Sequence, residues 1–404
     1  MDSLLKRSSL RMDEVAARYY RDAAEMLDRA VSAGELVGGA HLAFRNDKVV
    51  HLHAAGLRDR ENRRPFAPDT VVRIYSMTKP IVAVAALTLW EAGKFRLEDP
   101  VSAYIPAFAK TMALEGTGAN QKKVPLKRPI LVRDLFRHTS GYSYGNGDPS
   151  YSEAVVREGL IYHSREKGLP AMLPPQMTIE KGADAMARLP LLHQPGEKFT
   201  YGLSMDLLGR LVEVWSGSPL DEFVLRTITA PLGMNDTGFA VPTRARNRFA
   251  SCYTGPTGKL ILADAADNSP FLKGFEFLSG GGGMMSTIKD YARFCQMLIG
   301  DGSIEGRRIL RLDTVRMMRE DQLKGVSGPF RFGLGFAIDD TDLGEGATAW
   351  KALRYGWGGF ASTEFHLIPD AKFFQIFVQQ HVPDIHETAT RVFNHILKSV
   401  NRTA

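Results

Sequence analysis

A strand pair near each end of the chain, each beside a terminal helical pattern, predicts a mixed α/β (α+β) fold around one central antiparallel sheet flanked by helices. The turns within each pair are too short for βαβ crossovers, which argues against a doubly wound parallel sheet. Between the pairs, roughly residues 80–270 carry helical patterns interrupted by Pro- and Gly-rich loops, as a mostly helical inserted subdomain would. The expected organisation is a sheet domain of residues 1–79 and 271–404, a helical domain of residues 80–270, and an active site at their interface. At 404 residues and 44% hydrophobic, the chain can bury a core across both parts.

Residues from about 12 to 33 form an amphipathic helical pattern, and strands are expected at 37–44 and 49–55 around a turn at Asn46-Asp47. A helix then opens near Ser76 and runs to Ala92-Gly93, where glycine supplies a stop. Pro80 fits its first turn, whose N–H groups have no intrahelical acceptor. The run Ile81, Val82, Val84, Ala85, Leu87, Leu89 and Trp90 is apolar on nearly every side, so this helix must be buried. Further helical patterns lie at 131–138 and 205–215, with long surface loops expected at 116–129 and 170–175. Strands at 362–368 and 373–380 flank the turn Pro369-Asp370-Ala371, and a helix follows from about 384 to 400. No internal repeat is present.

The formal charge of +6, from 51 basic and 45 acidic residues, is scattered rather than striped and does not suggest a nucleic-acid partner. No apolar segment approaches a membrane span, and residues 1–7 lack a continuous apolar stretch of the kind a secretory signal needs, so a cytoplasmic protein is expected. Cys252 and Cys295 give neither a disulfide framework nor a metal spacing, and the ten histidines show no His-Glu-x-x-His pattern. No cofactor and no metal are expected. Oligomeric state is not legible.

Ser76 stands three residues before Lys79, so on a helix the two side chains share a face one turn apart. A serine hydroxyl becomes a useful nucleophile when a neighbouring base takes its proton, and a lysine can be that base when burial or a nearby cation lowers its pKa. The same spacing recurs at Ser3/Lys6, at a terminus expected to fray, at Ser164/Lys167, in a charged stretch, and at Ser286/Lys289, where Ser286 reads as a helix N-cap. Only Ser76/Lys79 opens a buried helix. The pair alone leaves two readings, a catalytic one and a buried lysine paired to a carboxylate elsewhere.

Gly141-Tyr142-Ser143-Tyr144-Gly145 matches the G-x-S-x-G nucleophile elbow, but a helix precedes it and a turn follows, which is the wrong context. Gly280–Gly283 lacks the Gly-Lys-Ser/Thr of a phosphate loop and reads as a close backbone approach or a mobile loop. His138 and His193 read as loop and helix-end hydrogen-bonders. Tyr201 alone is a packing residue, but near a Ser/Lys pair its phenol could shuttle a proton. Tyr355-Gly356-Trp357-Gly358-Gly359-Phe360 leads into the last strand pair, as a tight turn or as a site where substrate approaches the backbone. An N–H there, with that of Ser76, could form an oxyanion hole.

In this order, the segments resemble the serine β-lactamase and penicillin-binding-protein-like superfamily, most nearly class C β-lactamases and family VIII carboxylesterases. The resemblance spans residues 37 to about 380 and rests on Ser76-Met77-Thr78-Lys79, His138-Thr139-Ser140-Gly141, Tyr201 and Trp357-Gly358-Gly359. Glu91-Ala92-Gly93-Lys94, Leu97-Glu98-Asp99-Pro100 and Ser279-Gly280-Gly281-Gly282-Gly283 also fit. It implies the β-lactamase/transpeptidase fold, with Ser76 as nucleophile, Lys79 as general base and Tyr201 as proton shuttle. The N–H groups of Phe360 and Ser76 would then stabilise the oxyanion, and Trp357, Gly358, Gly359, Tyr142 and Leu203 would meet substrate.

Two departures carry information. Trp357 stands where β-lactamases and transpeptidases carry a cation, and Leu203 stands where the second motif places an asparagine. Losing a charge-assisted contact and an amide hydrogen bond points away from β-lactams and toward neutral esters. The expectation is a serine carboxylesterase for esters of short to medium acyl chains, with little or no β-lactamase activity and a small-molecule ester as its partner. The alternatives are transfer of the acyl group to an alcohol, or β-lactamase or D-amino-acid peptidase chemistry. A non-enzymatic binding protein is disfavoured by the full set of motifs.

Overall fold

Strand β1 (Gly38–Arg45) is buried along seven of its eight residues, and the strand Phe373–Gln379 beside it along all seven. Such continuous burial arises because both sheet faces are covered. Alternate residues Ala40, Leu42, Phe44, Phe374, Ile376 and Val378 enter one core layer, while Ala43, Phe373 and Phe377 enter another with Ala23, Leu27, Phe393 and Ile396 of the terminal helices. The computed structural model describes residues 2–116, 120–145, 148–160, 162–164, 169–172, 177–383, 385 and 387–401.

The sheet has eight antiparallel strands in the order Arg331–Phe332, Ala337–Leu343, Trp350–Gly359, Thr363–Ile368, Phe373–Gln379, β1, β2 (Lys48–Asp59) and β3 (Arg64–Pro65). The two expected strand pairs therefore join at β1, where Leu42 faces Ile376. Helix α1 (Asp2–Ser32) starts ten residues before its expected position, and the C-terminal helix is shorter than expected, Glu387–Leu397. Among the described residues no helix is long and apolar enough to cross a membrane, and no group of three or more His, Cys, Asp or Glu is placed to hold a metal.

The glycine-rich segment at 355–360 is neither a tight turn nor a lead-in. Trp357, Gly358 and Gly359 end a full strand, Trp350–Gly359, which the sequence reading missed together with Ala337–Leu343. Two expected loops also contain strands: Lys122–Pro125 pairs with Met112–Glu115, and Leu169–Met172 with Tyr162–Ser164. Residues 173–175 of the second loop, and Lys167 of the Ser164/Lys167 spacing, lie outside the described residues. The expected boundary at 79/80 falls inside an element, because helix α2 runs Thr78–Glu91.

Helix α2 is buried from Thr78 through Leu87 and again at Leu89, so the expectation of a helix enclosed on all sides holds. It packs against the helix Ser204–Ser216 and ends with Gly93 at φ 71°.

His41 of β1 is fully buried under the terminal helices, its ring 5.1 Å from His51 and 5.5 Å from Phe393. Burial first, then the neighbouring His51, pushes His41 well below the ordinary imidazole range, and burial pushes His51 down to about 4. Unfolding lets His41 bind a proton near its ordinary value. Stability is thus whole above about pH 6.5 and falls below it, by up to about 1.4 kcal/mol per pH unit. Urea denaturation at stepped pH checks this. His41→Gln should flatten the acid limb, and an unchanged slope would contradict the assignment.

Candidate active site

The site begins with backbone strain. Strand β4 (Val72–Arg73) pairs with Met285–Ser286 and delivers the chain into a 3₁₀ turn, Tyr75–Met77, that precedes α2. Tyr75 sits at φ 39°, a left-handed conformation that costs a bulky side chain about 1–3 kcal/mol. The surroundings hold it there. Its ring packs edge-on against Phe271 at 5.9 Å and Phe360 at 5.8 Å, and Met77 N donates to Ile74 O at 2.9 Å.

Arg73 anchors the segment from inside the protein. Its side chain is fully buried, pairs with Asp264 and donates to Ala250 O at 2.7 Å and to Gln380 Oε1 and Ser269 Oγ, each at 3.0 Å. The guanidinium also lies 4.2 Å from the Phe249 ring centroid. A buried charge bonded through both terminal nitrogens is strongly destabilising to break on one side only, which fixes the strand three residues before Ser76.

Ser76 and Lys79 meet as their spacing predicts, with Nζ 3.1 Å from Ser76 Oγ. Lys79 is 1% exposed, and its other donors go to Gly281 O at 2.6 Å and Tyr144 Oη at 3.2 Å. All three ammonium donors are thereby used. The buried-pair alternative is not what is seen: the nearby carboxylate, Asp206, accepts instead from Ser279 Oγ and from Gly281 N at 3.1 Å. Asp206 therefore holds the loop whose carbonyl holds the lysine. Burial raises its carboxyl above the usual range, opposed by the Ser279 hydrogen bond and by the charge of Lys79.

Within the glycines at 280–283, Gly280 and Gly281 make a close approach. A Cβ on Gly280 would lie 2.3 Å from Met205 O, and one on Gly281 2.6 Å from Asp206 Oδ2. Ser286 is not the cap of the following helix; Thr287 is, accepting from Asp290 N at 3.1 Å, while Ser286 belongs to the strand paired with β4.

Tyr201 donates to Ser76 Oγ at 2.8 Å and accepts from Trp357 Nε1 at 3.2 Å. Lys79 Nζ lies 4.6 Å from its ring centroid. The chain reaches this point because Thr200 N bonds His138 O at 2.7 Å and Gly196 N bonds Thr139 O at 2.7 Å. Gly202 then passes so close to the 142–143 backbone that a Cβ would lie 2.4 Å from Ser143 Cα.

Other expectations need correction. Tyr142 is fully buried and its hydroxyl donates to Met186 O at 2.9 Å, so it is a core residue rather than a substrate contact. The tyrosine at the lysine is Tyr144, whose phenol is pushed well above its usual range, chiefly by burial. Leu203 is 1% exposed and packs in the core, so its side chain does not meet substrate. His138 makes no hydrogen bond through its ring; it packs 4.9 Å from the Tyr201 ring, and burial with the Lys79 charge holds it neutral, well below its usual range. His193 does hydrogen-bond, to Gln194 O at 2.9 Å and Thr200 Oγ1 at 2.8 Å. Ser143 Oγ is spent on Gly145 N at 3.0 Å in the loop.

Trp357 and Gly358 are partly exposed at the strand end. Gly359 lies so close to the turn that carries Ser76 that a Cβ there would fall 2.4 Å from Ile74 O. This contact brings the backbone of Phe360 beside the turn that carries Ser76.

Gly281→Ala tests the carbonyl that holds Lys79. The added methyl meets Asp206 and Tyr144 Oη, the latter at 3.0 Å, and must displace the loop. Labelling of Ser76 by a fluorophosphonate should slow at least about tenfold while near-ultraviolet circular dichroism stays native. An unchanged rate would contradict the role given to Gly281 O.

Comparison with known proteins gives the family. Protein Rv1367c of Mycobacterium tuberculosis is 32% identical over 87% of this chain and 88% of its own length. Esterase EstB of Burkholderia gladioli is 30% identical over 83% of each chain. Among solved structures, EstCE1, described as a hydrolase with promiscuous acyltransferase activity, superimposes with a TM-score of 0.73 over 96% of this chain and 99% of its own, at 23% identity. The Beta-lactamase family model matches residues 23–394, and the chain belongs to that family.

Proposed function

We propose that this protein is a serine carboxylesterase for esters of short to medium acyl chains, working through an acyl-enzyme on Ser76. The observation that carries the reading is the convergence of Lys79 Nζ at 3.1 Å and Tyr201 Oη at 2.8 Å on one serine oxygen. The Lys79–Tyr201 pair acts as a base when it is one proton short, as amine plus phenol or ammonium plus phenolate, and in that form it takes the proton of Ser76 Oγ as that oxygen attacks the ester carbonyl. The N–H groups of Ser76 and Phe360 stabilise the oxyanion of the tetrahedral intermediate. As the intermediate collapses, the bond to the alcohol oxygen breaks and Tyr201 returns the proton to that oxygen. Water then attacks the acyl-enzyme with Tyr201 accepting its proton, and the acid leaves as Ser76 is regenerated.

The ester preference rests on Trp357. An indole N–H donates to Tyr201 Oη where the family resemblance puts a cation, so the phenol oxygen still finds a donor while a substrate carboxylate finds no charge. The similarity to Esterase EstB, covering most of both chains, supports the same choice.

A second reading, acyl transfer to an alcohol, is favoured by the likeness to EstCE1, whose description names both activities. Here an alcohol takes the place of water at the acyl-enzyme. Adding an alcohol acceptor separates the two, since transfer diverts product from the acid to a new ester.

Turnover of p-nitrophenyl butyrate should far exceed that of nitrocefin, and the reverse ranking would sink the ester reading. Ser76→Ala should lose at least about 10³-fold of the esterase rate, and Tyr201→Phe about 10²–10⁴-fold.

A further inference from the structure

The catalytic tyrosine lies at one end of a continuous aromatic wall. Tyr201 contacts Trp357 at 5.3 Å, Trp357 contacts Phe332 at 5.3 Å and Phe330 at 6.2 Å, and Phe199 contacts Phe330 at 5.1 Å and Phe332 at 5.2 Å. Its rings differ in exposure. Phe332 is 1% exposed, Trp357 is partly buried, and Phe330 presents 42% of its surface. A large aromatic left this open, separated from Ser76 by the rings of Tyr201 and Trp357, is a surface with something to bind.

The presentation of Phe330 is built. Phe199 N donates to Ser327 O at 2.7 Å, Lys198 and Ser327 form a β-bridge, and Gly328 passes so close that a Cβ would lie 3.1 Å from Phe199 Cβ. Arg331 pairs with Asp340 at 2.9 Å, which balances the charge next to the ring. The strand pair Arg331–Phe332 with Ala337 and Ile338 then ties the segment to the main sheet.

The wall also has a definite side. In ester cleavage the departing oxygen must come within hydrogen-bond reach of the group that protonates it, and Tyr201 Oη is in contact with Trp357 Nε1. The first atoms of the alcohol therefore lie along the indole, and the next ring outward is Phe330.

We infer that Trp357 and Phe330 form an alcohol-side platform that selects esters of aromatic or flat cyclic alcohols over those of small alkyl alcohols, with Phe330 the specificity-determining residue. This rests on the esterase reading and adds which half of the ester is recognised. Planar groups gain most from ring faces and edges already fixed in place.

The test uses ethyl, benzyl and 2-naphthylmethyl butyrate, which share an acyl group and have alcohols of similar acidity. For the wild-type enzyme, kcat/KM should rise at least tenfold from ethyl to naphthylmethyl. Phe330→Ala should lose at least tenfold on naphthylmethyl butyrate, mainly in KM, and less than twofold on ethyl butyrate; Phe330→Trp should retain the preference. A parallel series of ethyl acetate, butyrate and octanoate should keep its ranking in Phe330→Ala. Equal losses on all three butyrates, no loss, or a changed acyl-chain ranking would overturn the platform while leaving the esterase intact. Wild-type protein that cleaves none of these esters would overturn the esterase reading, and the platform with it.

Discussion

A single buried amine organises the site. Lys79 lies on the first turn of a helix whose residues are buried from Thr78 through Leu87, so its nitrogen cannot reach solvent and must find its partners inside. It has three, Ser76 Oγ, Tyr144 Oη and Gly281 O. Each comes from a different part of the chain; Asp206 holds the glycine loop, and Thr200 holds the segment that brings Tyr201 to the same serine oxygen. The apolar helix that stabilises the fold thus also sets the chemistry. Burial limits the access of water to the lysine, and among the described residues the hydroxyls it bonds are those of Ser76 and Tyr144.

The nucleophile is fixed by a balance of cost and support. Tyr75 carries an unfavourable backbone conformation, and the structure surrounds it with Phe271, Phe360 and the Arg73–Asp264 ion pair. Arg73 is held by six residues of the 249–271 and 380 regions, so a distant hairpin helps to position the turn that carries Ser76. On the other side, Gly359 allows the strand Trp350–Gly359 to press against Ile74. The sheet and the helical part are therefore joined at the reacting residue rather than merely adjacent to it.

The central strands and helix α2 were legible because burial on both faces writes continuous apolar runs into the sequence, punctuated by turn residues such as Asn46-Asp47 and Pro369-Asp370. Ala337–Leu343 and Trp350–Gly359 were not, because charged residues break their pattern. Those charges meet only across the folded ladder, where Asp339 pairs with Arg354 at 2.9 Å. In the site, the spacing of Ser76 and Lys79 and the family motif at Tyr201 pointed to residues that converge. Tyr144 was missed in favour of Tyr142, since two tyrosines flank Ser143 and only the hydrogen-bonded turn from Ser143 to Gly145 decides which ring reaches the lysine. Leu203 failed for a related reason: the residue after Gly202 turns into the core as the next helix begins. Asp206 and Gly281 act through tertiary contacts that no spacing encodes.

The central claim is that Ser76, served by Lys79 and Tyr201, takes up an acyl group. Intact-protein and peptide mass spectrometry after rapid acid quench from a p-nitrophenyl ester measures this directly. The account predicts a mass increase of one acyl group, located on the peptide containing Ser76 and absent in Ser76→Ala. Acylation at Ser143, or turnover of the ester with Ser76 replaced, would contradict it.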